Sequence, residues 1–205
     1  MEDVLDLYAA PYAADRPVVC FDERPVQLLA ETRPPQPVAR GRPARIDYEY
    51  RRQGTVNLFL CFEPRAGWRH LAVTPHRSNQ DFARQMRDLA DVHYPEAPVI
   101  AVVLDNLSTH SPAALYQTFP PAEARRLIKR LEFHYTPKHG SWLNMAELEF
   151  AVLSRQCLDR RLPDQATLQG EIGAWETHRN ATRATAQWRF TVAQARTKLR
   201  RLYPA

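Results

Sequence analysis

Residues 99–106 read Val-Ile-Ala-Val-Val-Leu-Asp-Asn, and this stretch decides the fold predicted for the chain. Six apolar residues in a row, four of them β-branched, are typical of a strand that is buried on both faces. The run ends abruptly at Asp105 and Asn106. We therefore expect a central strand of an α/β sheet that carries an acid at its carboxyl end.

Four other segments have the composition of strands. Val18–Phe21 is a short apolar run that stops at Asp22, and residues 55–63 and 68–73 flank the turn 64–67 as a hairpin. Residues 132–135 form the last strand. Helical patterns fill most of the rest, at 3–9, 78–93, 112–130 (two pieces, divided at Pro120-Pro121), 141–159, 165–179 and 191–202.

This order of elements predicts one α/β domain over residues 1–205, with a mixed five-stranded sheet and helices on both faces. A meander of three strands, followed by strands that alternate with helices, matches the ribonuclease-H-like layout. We expect Ser141 to cap the helix over 141–159. Residues 160–205 are predicted as basic C-terminal helices.

The segment 24–53 differs from the rest because it holds five prolines and seven arginines with little apolar periodicity. We expect a loop of about 30 residues there, and loops of that length are functional or disordered. Its basic side chains include Arg40 and Arg42.

The composition sets limits on function. The net charge is +5, and the excess lies in residues 24–52 and in residues 155–205, which favours a polyanionic partner. No apolar run is long enough to span a bilayer, and the acidic N-terminus lacks the basic region of a signal peptide. We expect a cytoplasmic protein with no membrane partner. Cys20, Cys61 and Cys157 are far apart and are expected to be buried thiols.

The acids at the predicted strand ends suggest metal chemistry. Ligands of open α/β sheets bind beyond the carboxyl ends of strands. If the two strands are neighbours, Asp22 and Asp105 should therefore lie close together at that edge of the sheet. Crowded carboxylates repel each other, and a hard cation such as Mg²⁺ removes that penalty. Glu147 and Glu149 are both candidates for a third acid, because they flank the apolar stripe of the 141–159 helix equally.

Three spaced motifs resemble the DDE transposases of the mariner-like superfamily. They are Phe21-Asp22-Glu23, the segment 105–110 (Asp-Asn-Leu-Ser-Thr-His) and the segment 135–147, which contains Thr-Pro, Ser-Trp-Leu-Asn and a final Glu. The bacterial insertion-sequence branch is the most similar, and the likeness spans nearly the whole chain. It implies a cut-and-paste DNA transposase in which Asp22, Asp105 and Glu147 are both the catalytic residues and the ligands of two Mg²⁺ ions, with Mn²⁺ able to substitute.

Other residues near these motifs are candidates for support or for DNA contact: Glu23, Asn106, His110, Lys138, His139, Ser141, Arg40 and Arg42. Glu23 should point away from Asp22, since neighbouring strand residues face opposite ways. It would then orient the site or pair with an arginine, and a fourth ligand is the alternative. Asn106 would hydrogen-bond a metal-bound water or a phosphate, or only form the turn after the strand. His110 would support the site or contact a phosphate, or only act as a cap before Ser111-Pro112. The basic turn 138–141 suits phosphate binding, unless it is only a solvated loop.

The resemblance also implies partners. These are double-stranded DNA, at the element ends and at the target, and a second copy of the chain on that DNA. Family members carry helix-turn-helix modules before the catalytic domain, and the 17 residues before the first strand are too few for one. We therefore expect a catalytic fragment that works with a separate helix-turn-helix polypeptide at the bacterial nucleoid. The alternatives are an inactive or domesticated DNA-binding remnant, or another ribonuclease-H-like nuclease.

Overall fold

The structure, a computed structural model, describes residues 1–203. Its strands are β1 (Val18–Glu31), β2 (Tyr50–Glu63), β3 (Trp68–Thr74), β4 (Ile100–Leu104) and β5 (Leu131–Tyr135). Its helices are α1 (Glu2–Ala9), α2 (Asn79–Asp88), α3 (Pro112–Thr118), α4 (Pro121–Ile128), α5 (Met145–Leu153), α6 (Gln165–Ala181) and α7 (Val192–Lys198). Single π-helical turns extend α2 to His93 and α5 to Leu158. None of the described helices is long and apolar enough to cross a membrane.

The five strands form one mixed sheet in the order β3-β2-β1-β4-β5. The strands β1, β2 and β3 are antiparallel neighbours, whereas β4 runs parallel to both β1 and β5. All five residues of β4 are fully buried, as its unbroken apolar run predicts. The predicted mixed five-stranded sheet is therefore confirmed.

Helices cover both faces of the sheet because side chains alternate along each strand. On one face Phe21, Phe59 and Val102 pack with the buried residues of α2, α3 and α4. On the other face Cys20 and Val103 pack with those of α1, α5, α6 and α7. Both layers are apolar, so the sheet lies between two cores, and the expected helices on both faces are confirmed. The three cysteines are buried free thiols, as expected.

The prediction that the first strand stops before Asp22 is wrong. β1 continues to Glu31 because its antiparallel pairing with β2 extends from Cys20–Phe62 to Glu31–Tyr50. Its parallel pairing with β4 ends at Cys20. Pro25 is tolerated inside the strand because β1 pairs only with β2 at that position and is otherwise an edge strand.

The predicted loop over 24–53 is therefore shorter than expected. Both of its ends belong to strands, and residues 32–49 remain as an exposed projection, here called the arm. Two isolated bridges, Gln36–Arg45 and Ala39–Arg42, draw the arm into a narrow hairpin. Arg161 holds its base, since the guanidinium donates to the carbonyls of Asp47 (2.7 Å) and Glu49 (2.9 Å).

The turn between β2 and β3 packs tightly on the segment that follows α6. Gly67 has φ +66°, and a Cβ added there would lie 2.5 Å from the carbonyl carbon of Arg183. We expect Gly67→Ala to lower the free energy of unfolding by about 1–3 kcal/mol, because it adds both a backbone clash and an unfavourable φ.

Urea unfolding checks this prediction, with Gly173→Ala as the matched control. Gly173 lies inside α6 with open space around its Cβ position, so alanine there should raise the unfolding free energy by roughly 0.5–1 kcal/mol. Equal effects of the two substitutions would contradict the packing described for Gly67.

Candidate active site

Asp22 lies on β1 two residues beyond the last parallel pair with β4. Burial, together with the negative charges of Glu23, Glu147 and Asp105, raises the pKa of its carboxyl to about 7. The backbone N–H of Glu23 donates to Asp22 Oδ1 (2.8 Å) and opposes that shift. Asp22 thus lies within electrostatic range of both other predicted acids.

Asp105 follows the end of β4, and its side chain remains 41% exposed. Its Oδ1 lies 2.6 Å from Nδ1 of His110 and accepts from the backbone N–H of Leu107 (3.2 Å). The hydrogen bond from His110 holds the pKa of Asp105 below its usual value. Within residues 1–203 both hydrogen bonds to this carboxylate use Oδ1, so Oδ2 stays open to another ligand.

His110 is buried between two carboxylates. Its Nε2 forms an ion pair with Glu23 Oε2 at 2.7 Å. Burial alone would lower the pKa of the imidazole, but the hydrogen bond to Asp105 and the pairing with Glu23 outweigh it and raise the pKa to about 9. His110 is therefore an imidazolium that joins Asp105 to Glu23, packed against the rings of Phe21 and Phe82.

This arrangement places Glu23 on the opposite side of β1 from Asp22. Phe21 and Glu23 share one face of the strand, where Glu23 meets His110, and Asp22 shares the other face with Cys20. The partner of Glu23 is a histidine and not the arginine that the sequence suggested.

The two glutamates of α5 have different surroundings. Glu149 is 3% exposed and makes ion pairs with Arg69 (2.8 Å) and Arg179 (3.0 Å). Glu147 is exposed, lies in the first turn of the helix, and its charge acts on Asp22. Glu149 is thus held by two arginines, whereas Glu147 is the glutamate of α5 whose charge acts on Asp22.

Asn144 positions Glu147, and the sequence reasoning missed that role. The expected capping residue Ser141 lies instead in a 3₁₀ turn without a capping hydrogen bond, and α5 begins only at Met145. Asn144 is buried, and its Oδ1 accepts from the N–H of Ala146 (3.1 Å). Its Nδ2 donates to the carbonyl of Phe21 (2.8 Å), which ties the helix start to β1. An asparagine three residues before a glutamate was the signal available in the sequence.

An open cleft runs from Asp105 along the turn before α5. Its lining residues are Asp105, Asn106, Leu107, Thr136, Pro137, Lys138, His139 and Ser141. The turn closes through a hydrogen bond from Gly140 N–H to the Pro137 carbonyl (2.8 Å), and His139 adopts φ +61°. The structure therefore brings the predicted residues Asn106, Lys138, His139 and Ser141 beside Asp105.

Arg40 and Arg42 are not part of this cleft. They lie on the exposed tip of the arm, which projects from the ends of β1 and β2. Nothing in the cleft lining comes from the arm.

The donor set fits a hard divalent cation. Asp22, Asp105 and Glu147 offer only carboxylate oxygens, which Mg²⁺ and Mn²⁺ prefer. The raised pKa of Asp22 reflects burial and neighbouring negative charge, both of which a cation would offset. Across residues 1–203 no three acidic, histidine or cysteine side chains yet meet closely enough to enclose a metal ion, so binding would require the carboxylates to draw together.

Known proteins resemble this chain in sequence and in structure. The family model described as DDE superfamily endonuclease matches residues 17–169. No curated protein matches the chain. Among solved structures, the Mos1 mariner paired-end complex with Mn has a TM-score of 0.59 at 15% identity, over 88% of this chain and 54% of that one. The Mos1 strand transfer complex has a TM-score of 0.54 at 16% identity, over 85% and 50%.

These likenesses confirm the expected ribonuclease-H-like fold, which the Mos1 catalytic domain shares. The chain spans about half the length of the solved structures that it matches.

The double role of Asn144 can be tested by substitution. We expect Asn144→Ala to lower the free energy of unfolding by about 2 kcal/mol or more, since it removes the helix cap and leaves the buried Phe21 carbonyl without its donor. Ser141→Ala is the control, and it should change the unfolding free energy by less than about 0.5 kcal/mol. Thermal or urea unfolding measures both, and a larger loss with Ser141→Ala would restore the original capping prediction.

Proposed function

Because this chain belongs to the DDE superfamily endonuclease family, we propose that it is the catalytic domain of a cut-and-paste DNA transposase. One observation carries the proposal: Asp22 and Asp105 lie level, each two residues past the last β1–β4 pair, and the negative charges of Asp105 and Glu147 act on the buried Asp22. A basic turn beside Asp105 completes the site.

The proposed reaction has two transfers at phosphorus. In the first, water attacks a phosphodiester at the element end, the P–O3′ bond breaks, and a 3′-hydroxyl leaves with a proton. In the second, that 3′-hydroxyl attacks a phosphodiester of the target, and the broken target strand departs with its own 3′-hydroxyl. Each step exchanges one P–O bond for another, so neither needs an oxidant or reductant.

Asp22, Asp105 and Glu147 would hold the divalent ions, two Mg²⁺ or, in their place, Mn²⁺. Such ions activate the attacking oxygen and stabilise the leaving oxygen on the phosphate. His110 fixes Asp105 through Oδ1 and leaves Oδ2 free for a ligand, while Glu23 balances the imidazolium charge from behind. His110 and Glu23 are thus positioning residues in this proposal.

DNA phosphates would lie along the cleft. Lys138 and His139 are exposed there, beside Asn106 and Ser141, and they offer cationic and hydrogen-bonding groups to the strand that carries the scissile phosphate. Such contacts hold the backbone in register without reading sequence, so sequence recognition would come from a separate helix-turn-helix polypeptide.

In the same proposal the arm contacts DNA beyond the cleft, or a second copy of the chain. Its tip carries Arg40, Arg42 and Arg45, all exposed, and its base is held by Arg161. Two of the similar Mos1 structures are described as paired-end complexes, which supports a homodimer assembled on DNA. The proposal also includes that the protein is bacterial and associates with the nucleoid.

The reaction can be tested with a Mg²⁺- or Mn²⁺-dependent nicking and strand-transfer assay, supplemented with the helix-turn-helix polypeptide. We expect Asp105→Asn or Glu147→Gln to reduce cleavage at least about 10³-fold, the equivalent of roughly 4 kcal/mol of lost transition-state stabilisation. Asp15→Asn removes an exposed acid from the turn before β1 and should cleave like the parent.

Each alternative function has a distinct outcome in this assay. A parent protein that binds DNA without any metal-dependent cleavage would be a binding remnant, and cleavage of RNA–DNA hybrids or junctions without strand transfer would indicate another nuclease. Normal cleavage by Asp105→Asn would refute the catalytic assignment.

The role of the arm is open to a binding measurement. We expect Arg40→Ala/Arg42→Ala to weaken DNA binding and to flatten the plot of log K against log salt by roughly 1.8, about 0.9 for each phosphate that the variant no longer neutralises. Arg125→Ala/Lys129→Ala removes the same charge from two exposed positions, on α4 and at its C-cap, and should leave the slope unchanged. Equal slopes for both double variants would show that the arm contributes only net charge.

A further inference from the structure

A buried ion-pair network lies against α5, and the proposed reaction does not use it. Glu149 on α5 lies between Arg69 of β3 and Arg179 of α6. Arg69 Nε is 2.8 Å from Glu149 Oε1, and Arg179 Nη2 is 3.0 Å from both oxygens of that carboxylate. The Arg69 side chain is fully buried and that of Glu149 is 4% exposed. Arg69 and Glu149 are both deeply buried and Arg179 covers the second oxygen of the carboxylate, so the connection is rigid because either buried charge would be costly to leave unpaired.

The rest of Arg69 is fixed as well. Its guanidinium donates to the carbonyls of Gly67 (3.0 Å) and Ala184 (2.6 Å), and its backbone exchanges hydrogen bonds with the side chain of Asn180 (2.9 and 2.8 Å). The position of the Glu149 carboxylate is therefore set by the β2–β3 turn and by the chain after α6, which lie outside the cleft.

Glu149 is two residues after Glu147 on a helix of nine residues. Successive helical residues are about 100° apart, so the two carboxylates point in nearly opposite directions from the axis. Fixing one of them fixes the rotation of the helix and therefore the direction of the other. Asn144 already ties the start of α5 to β1, and Glu149 supplies the second point that prevents rotation about the axis.

We propose that Glu149 is a positioning residue whose ion pairs with Arg69 and Arg179 fix the rotation of α5, direct Glu147 towards Asp22, and so set the affinity of the site for divalent cations. This inference rests on the proposed function, in which Glu147 is a cation ligand. A purely structural role predicts instead that loss of Glu149 lowers stability without changing cation affinity in the folded protein.

Titration of the full chain with Mn²⁺, followed by calorimetry and by the electron paramagnetic resonance of the free ion, tests the inference without DNA. We expect Glu149→Gln to raise the Kd for Mn²⁺ by roughly ten- to a hundredfold, as the loss of groups that orient metal ligands commonly does. Circular dichroism and thermal unfolding establish that the variant is folded at the temperature of the titration.

Glu176→Gln is the matched control. Glu176 lies on α6, accepts from the backbone N–H of Leu71 (2.8 Å) and contacts His70 Nδ1 (3.2 Å), so it also joins α6 to β3. It makes none of the contacts that fix α5. Its loss should lower the unfolding temperature and leave the Kd for Mn²⁺ within about twofold of the parent, a change of roughly 0.4 kcal/mol.

Arg179→Ala provides a second variant in case Glu149→Gln does not fold. Arg179 is partly exposed, and its removal leaves the neutral Arg69–Glu149 pair inside, so the protein should stay folded with a smaller rise in Kd. If folded Glu149→Gln or Arg179→Ala binds Mn²⁺ as tightly as the parent, the inference is overturned. It is also overturned if Glu176→Gln weakens Mn²⁺ binding as much as these variants do.

Asp105→Asn separates this inference from the function on which it rests. If Asp105→Asn weakens Mn²⁺ binding and the Glu149 and Arg179 variants do not, the positioning role is wrong and the cation site stands. If Asp105→Asn binds Mn²⁺ as tightly as the parent, the proposed site and the positioning role are both wrong.

Discussion

The parallel pairing of β1 with β4 is the constraint on which the site depends. Val18, Val19 and Cys20 pair with Ala101, Val102 and Val103, and the register places Asp22 level with Asp105, each two residues past the last pair. Paired strands lie about 4.8 Å apart, so this register brings the two residues to the same level at one edge of the sheet. The apolar runs that build the two cores thereby also bring the acids together.

Cationic side chains lie near these acids on both faces of the sheet, but they have different partners. His110 holds Asp105 from the face covered by α2 and α3, with Glu23 behind it. On the opposite face Arg69 and Arg179 hold α5 through Glu149, while Asp22 and Glu147 keep no such partner among the described residues. Burial and the neighbouring negative charges together raise the pKa of Asp22, and a divalent ion beside it would offset both effects.

The two corrections to the predicted fold have one cause. The strand β1 was expected to end where its apolar run ends, yet it continues well beyond Asp22 because β2 offers backbone partners as far as Tyr50. Hydrogen bonding between strands does not require an unbroken apolar run, so a strand of mixed polarity that includes Pro25 is not evident from hydropathy. The same pairing shortens the predicted loop to the arm 32–49, which still carries its arginines to solvent.

The sequence by itself determined the sheet, its helices on both faces and two of the three candidate acids, because buried strands and amphipathic helices leave periodic apolar patterns and the end of an apolar run marks its acid. It could not distinguish Glu147 from Glu149 by pattern, since both flank the apolar stripe of one helix equally. Only the tertiary structure decided which side each takes. Glu149 is drawn inward by Arg69 and Arg179, which are 80 and 30 residues away in the chain, and Asn144 rather than Ser141 starts the helix because it also reaches the carbonyl of Phe21. Both choices depend on partners distant in sequence, and such partners become neighbours only when the chain has folded.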